Sequence, residues 1–116
     1  MRGDNERLAD IEEAIIRIQR YQGITFAEFE SNELLQVWVL HHLQIVGDAI
    51  RGLSPEFRSS HPEVPWTDII GMRNVIVHSY FGINTRVVWR AIVSDLPSLS
   101  VQIKAIITER GLDADE

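Results

Sequence analysis

Leu34-Leu35-Gln36-Val37-Trp38-Val39-Leu40-His41-His42-Leu43-Gln44-Ile45-Val46-Gly47-Asp48-Ala49-Ile50 decides the fold. Its apolar residues recur at helical spacing, with Leu34, Leu35, Trp38, Ile45, Ala49, Ile50 and then Leu53 spreading over a broad face. Ser31 or Asn32 stands where an N-cap belongs, because a short oxygen-bearing side chain can accept one of the orphan N–H groups of a first turn. The spacing predicts a helix from that cap to about Gly52, with enough apolar surface to be central in its fold.

The same period continues on both sides. Upstream, Leu8, Ile11, Ile15, Ile18 and Gln22 step by three or four, which predicts a first helix over 4–22 that Gly23 stops. Residues Ile24 to Glu30 read as a short turn that packs Phe26 and Phe29. Downstream, Ser54 to Pro65 holds three of the four prolines and reads as a connector with at most one helical turn. Pro65 fits the first position of a third helix, over 66–79, where its missing N–H has no partner to lose. Gly82 breaks that helix, Asn84 or Thr85 caps another over 85–94, and Asp95 caps a last one with Pro97 in its first turn. The acidic end, Asp113 to Glu116, is expected to fray.

No period-2 run is bounded by turn residues, and Val75-Ile76-Val77 sits inside a helical pattern. The expectation is an all-α, antiparallel helical bundle of four main helices plus a short one, with no sheet, formed by residues 1–116 as a single domain.

Composition narrows the function. The chain has 116 residues, too few for separate cofactor and substrate domains. With no cysteine, disulfides, zinc-thiolate sites and cysteine nucleophiles are excluded. There is no basic region followed by an apolar stretch at the start and no run of 18 apolar residues, so no membrane span is expected and a cytoplasmic location is the default. A net charge of −6 argues against a general nucleic-acid coat protein, but it is unevenly laid out. Residues 1–48 carry −5, residues 49–90 carry +2 and residues 91–116 carry −3. The basic middle holds Arg51, Arg58, Arg73, Arg86 and Arg90, and Arg suits phosphate because its planar fork donates two parallel hydrogen bonds.

In that middle the third helix departs from its apolar pattern. Arg73, Asn74, His78 and Tyr80 gather towards its end. At about 100° per residue, Asn74 and His78 share a face, Arg73 lies about 140° from His78, and Tyr80 returns to the side of Arg73 if the helix persists. An imidazole exchanges protons near neutral pH, a guanidinium holds phosphate, and Asn can orient either. On spacing alone His78 is either such a proton-transfer group or a hydrogen-bonded core residue.

Arg73-Asn74-Val75-Ile76-Val77-His78-Ser79-Tyr80 resembles the R-x-x-x-x-H-x-Y motif of HEPN-domain toxins of the HepT group. Leu43 to Ala49, His61 to Trp66 leading into Ile69 to Asn74, Tyr80 to Asn84, Val88-Trp89 and Asp95 to Pro97 are similar to the family's segments in the same order, over about residues 5–108. Asp48 stands where the family more often has Glu, which keeps an acid that would hold the motif Arg or His.

The resemblance implies a helical homodimer whose motif helices face each other across a cleft. It implies a metal-independent endoribonuclease, with no cofactor, in which the RNA 2′-hydroxyl attacks its own phosphate and leaves a cyclic phosphate end. His78 would be the general base or acid, Arg73 would stabilise charge on the phosphate, and Asn74 would position them. It also implies a type VII toxin–antitoxin pair in which an MntA-type nucleotidyltransferase antitoxin transfers AMP to Tyr80, placing phosphate beside Arg73 and His78. The alternative is a non-catalytic module that binds a nucleotide or the transferase.

The remaining candidates are weaker. His41 and His42 diverge by about 100°, which sets one at a packing edge and the other in solvent rather than both on a metal. Arg51, Arg58 and His42 are open as parts of an RNA-facing surface, and Arg86 and Arg90 as a basic edge or a solvated face. Trp38, Trp66 and Trp89 read as core or interface residues rather than base-stacking platforms.

Overall fold

The computed structural model describes residues 3–21, 23–77 and 84–112, with backbone alone over 72–77. Helices are α1 Asp4–Gln19, α2 Phe26–Glu30, α3 Glu33–Gly52, α4 Pro55–Ser60, α5 Trp66–Val77, α6 Thr85–Arg90 and α7 Leu96–Glu109. No strand occurs among the described residues, and Val75-Ile76-Val77 is helical. The fold is the all-α helical bundle that the periodicity predicts, in keeping with the HEPN-like fold that the resemblance implies. Its long members are α1, α3, α5 and the continuous helix that α6 and α7 form together.

α3 is central. Asn32 rather than Ser31 caps it, accepting the Leu35 N–H at 3.0 Å. Leu35, Val39, Leu43, Val46 and Ile50 supply its buried stripe, whereas Leu34 is 85% exposed and does not join the core. α1 lies along α3, meeting it with Leu8, Ile11, Ile15 and Ile18. The two run antiparallel, since Asp4 at the start of α1 bonds Ser54 just beyond α3, and Arg7 lies over Gly52. A Cβ at Gly52 would run into that guanidinium, so the close approach uses a glycine. The end of α7 likewise returns to the start of α1, where Arg110 Nε donates to Asn5 Oδ1 at 2.9 Å.

Several boundaries differ from the sequence reading. α1 ends at Gln19 rather than at 22, and Gly23 turns the chain with a φ of 97°. The turn after it is a helix, α2, held by a reciprocal capping box: Glu28 N–H donates to Thr25 Oγ1 and Thr25 N–H to Glu28 Oε1. Phe29 of α2 is fully buried against Trp89, with ring centroids 5.7 Å apart. The proline-rich connector forms α4, longer than one turn, with Ser54 capping it and Pro55 in its first turn. Pro65 precedes α5 instead of opening it, and its carbonyl accepts the Ile69 N–H.

Asp95 is not a cap. It lies in the helical region, its side chain makes no cap bond, and Ala91–Asp95 is a π-helical segment joining α6 to α7. Pro97 brings no N–H to the Val93 carbonyl, and the wider π turn absorbs that gap without ending the helix. The joined helix, Thr85–Glu109, is long and apolar enough by composition to cross a membrane. Its apolar stripe of Val88, Ala91, Leu96, Leu99, Ile103 and Ile106 is buried in the core, as in a core helix.

Candidate functional site

α5 carries Arg73 and Asn74, the start of the motif, and its entry is firmly fixed. Trp66, 7% exposed, donates its indole N–H to the carbonyls of Arg58 (3.2 Å) and His61 (3.0 Å). The Phe57 ring packs on both His61 and Trp66, at 4.9 and 6.1 Å between centroids. Gln102 of α7 reaches across to the Glu63 carbonyl at 2.8 Å. Buried Val64 and Ile69 complete the anchor. From there α5 runs along α3.

Arg73 and Asn74 lie on α5 in its C-terminal half, consecutive in the helix as the spacing requires. Their side chains, and His78 and Tyr80 altogether, lie outside the described residues, as does the fraying expected of 113–116. Asp48 is exposed on α3, the helix against which α5 packs. Asn84 caps α6 by accepting the Val87 N–H at 3.2 Å. Arg86 and Arg90 are exposed one turn apart on α6, and the Arg86 guanidinium lies 4.7 Å from the Phe26 ring centroid. That cation–π contact orients Arg86 without neutralising it.

The histidines divide as expected. His42 is buried, with Nδ1 2.8 Å from the Trp38 carbonyl, while His41 is exposed. His61 finds a loop partner, with Nδ1 3.4 Å from Glu63 Oε2. Among the described residues no group of three or more His, Asp or Glu side chains could hold a metal. Trp38 and Trp89 are half-buried against the core and Trp66 is buried, so all three pack.

Sequence reasoning missed one surface. Asp10, Glu13, Ala14 and Arg17 of α1 face His41, His42 and Ile45 of α3 across a groove of about 320 Å³. Nothing local in the sequence pairs residues so far apart. The antiparallel register of α1 on α3 brings them together.

The fold and the motif helix define a class: a small helical bundle with an Arg-Asn pair on a helix packed along the central one, followed by a short basic helix. Within that class the chain belongs to the ribonuclease HepT-like family, whose model matches residues 11–106. It is 38% identical over 97 residues to a protein of Caldanaerobacter subterraneus subsp. tengcongensis named "Putative RNase", covering 84% of this chain and 87% of the relative. It is 36% identical over 99 residues to the "Probable ribonuclease HepT" of Thermococcus cleftensis, covering 84% and 90%. A Methanocaldococcus jannaschii protein, also named "Putative RNase", is 32% identical over 89 residues, covering 77% and 82%. No solved structure matches the chain significantly.

Proposed function

We propose that this protein is a metal-independent endoribonuclease, the toxin of a type VII toxin–antitoxin pair acting in the cytoplasm. The observation that carries the reading is the complete R-x-x-x-x-H-x-Y set from Arg73 to Tyr80, begun on α5 of a HepT-like chain.

The nucleophile is already in the substrate. The 2′-hydroxyl oxygen bonds to the adjacent phosphorus as the bond from phosphorus to the 5′-oxygen breaks. A 2′,3′-cyclic phosphate and a 5′-hydroxyl result, with no water consumed. His78 takes the 2′-hydroxyl proton or gives one to the departing 5′-oxygen. Arg73 neutralises the charge that builds on the non-bridging oxygens, and Asn74 positions these groups. Since one proton is taken and one given, two copies of His78 facing each other in a homodimer divide the work. Asp48, on the helix packed against α5, holds the motif Arg or His in place. Control comes from an MntA-type nucleotidyltransferase that transfers AMP from ATP to the Tyr80 hydroxyl, which loses its proton as pyrophosphate leaves, placing a phosphodiester where the RNA phosphate would bind.

The test is RNA cleavage by purified protein that is unmodified at Tyr80, compared with His78→Ala. A protein that binds nucleotide or transferase but cuts no RNA would instead be the non-catalytic module.

A further inference from the structure

The groove between α1 and α3 has a chemistry of its own. His42, 5% exposed, lines it with Nδ1 at 2.8 Å from the Trp38 carbonyl. A carbonyl can only accept, so Nδ1 carries a proton, and in that tautomer Nε2 is an acceptor. Glu13 Oε1 takes both Arg17 Nε at 3.3 Å and Arg17 Nη2 at 2.9 Å, which leaves Oε2 as a second acceptor. Ala14 and Ile45 are apolar, and the exposed His41 ring stands edge-on to His42, with centroids 5.1 Å apart. The groove therefore offers acceptors above an apolar and aromatic wall, with much of the Arg17 guanidinium already engaged.

We infer that this groove is a base subsite that takes guanine. Guanine presents a ring N–H and an adjacent amino group as neighbouring donors. Adenine sets its single amino group beside ring acceptors, and uracil sets its N–H between two carbonyls. An acceptor-lined groove discriminates in that order, because an acceptor facing another acceptor makes no hydrogen bond. The motif helix α5 packs on α3, which forms one wall of the groove. His41 and Asp48 are seven residues apart on one face of α3, about 10 Å along its axis. Guanine would thus be the natural ligand because RNA is the substrate, so its biological meaning rests on the ribonuclease reading, while the binding itself does not.

The experiment titrates the full wild-type chain with guanosine and with adenosine, neither of which can be cut, and follows the His41 and His42 ring signals by NMR. Guanosine shifts both rings and binds at least tenfold more tightly than adenosine. Glu13→Gln lowers guanosine affinity about tenfold and leaves adenosine unchanged. Arg17→Gln, which breaks the same ion pair but keeps the carboxylate, retains guanosine binding. Equal affinities, shifts confined to other residues, or equal losses in both variants overturn the subsite. If guanosine binds as stated and no RNA is cut, the subsite stands and the ribonuclease reading falls. If RNA is cut and neither nucleoside moves the His41 and His42 signals, the reverse holds.

Discussion

Trp66 donates its indole N–H to the His61 carbonyl at 3.0 Å, and this bond fixes where the motif helix begins. The same N–H is shared with the Arg58 carbonyl, so one side chain ties the end of α4 to the first turn of α5. Trp66→Phe keeps an aromatic ring beside Phe57 but leaves both carbonyls without this donor. The variant should lose about 1–3 kcal/mol of stability by urea denaturation. A loss below a few tenths would mean that the bond is not the anchor.

Asp4 and Ser54 make a second long-range tie. The Ser54 N–H donates to Asp4 Oδ1 and its hydroxyl to Oδ2, each at 2.8 Å. The backbone hydrogen bond from Ser54, helped by its hydroxyl and by the Arg110 charge, lowers the Asp4 carboxyl from its ordinary value of 3.8 despite some burial. A depressed folded value means that the carboxylate stabilises the fold above the unfolded value and that this contribution is lost as pH falls through the folded one. Asp4→Asn should therefore cost about 1 kcal/mol at pH 7, with the gap from wild type closing below about pH 4 in pH-dependent urea melts.

Phe29 tests α2, one of two short helices that the hydrophobic period did not reveal. It is fully buried from a five-residue helix, against Trp89. Phe29→Ala should lose about 3–5 kcal/mol in urea melts, in keeping with a large core truncation. A loss under about 1 kcal/mol would show that α2 is peripheral.

Tyr80 tests the regulatory part of the account. Co-expression with an MntA-type nucleotidyltransferase should add AMP masses to the intact protein, and Tyr80→Phe should abolish them. Persistence of the added mass on the Phe variant would place the acceptor elsewhere.

Much of the bundle was legible because burial repeats with the helix. Leu8, Ile11, Ile15 and Ile18 were readable as one stripe, and all are buried. Local chemistry escaped where the stripe was too short to carry a period. α2 rests on the Thr25–Glu28 capping box, a signal present in the sequence but overshadowed by the absence of a long apolar face. Asp95 misled for the opposite reason. Asp before Leu-Pro is a good cap by composition, yet burial of Ala91, Leu96 and Leu99 on one continuous core face outweighed it and the helix ran through as a π turn. Leu34 is apolar by type but lies in the first turn of α3, where it is left exposed. The motif stood out because Arg73, Asn74, His78 and Tyr80 are local in sequence. The α1–α3 groove did not, because Glu13 and His42 meet only through tertiary register.

The most direct measurement of the central claim is RNA cleavage in the presence of EDTA by wild-type protein with an unmodified Tyr80, beside His78→Ala. The account predicts fragments ending in 2′,3′-cyclic phosphate from the wild type and a rate at least about 100-fold lower from the variant. Equal cleavage by the two proteins, or none by either, would contradict it.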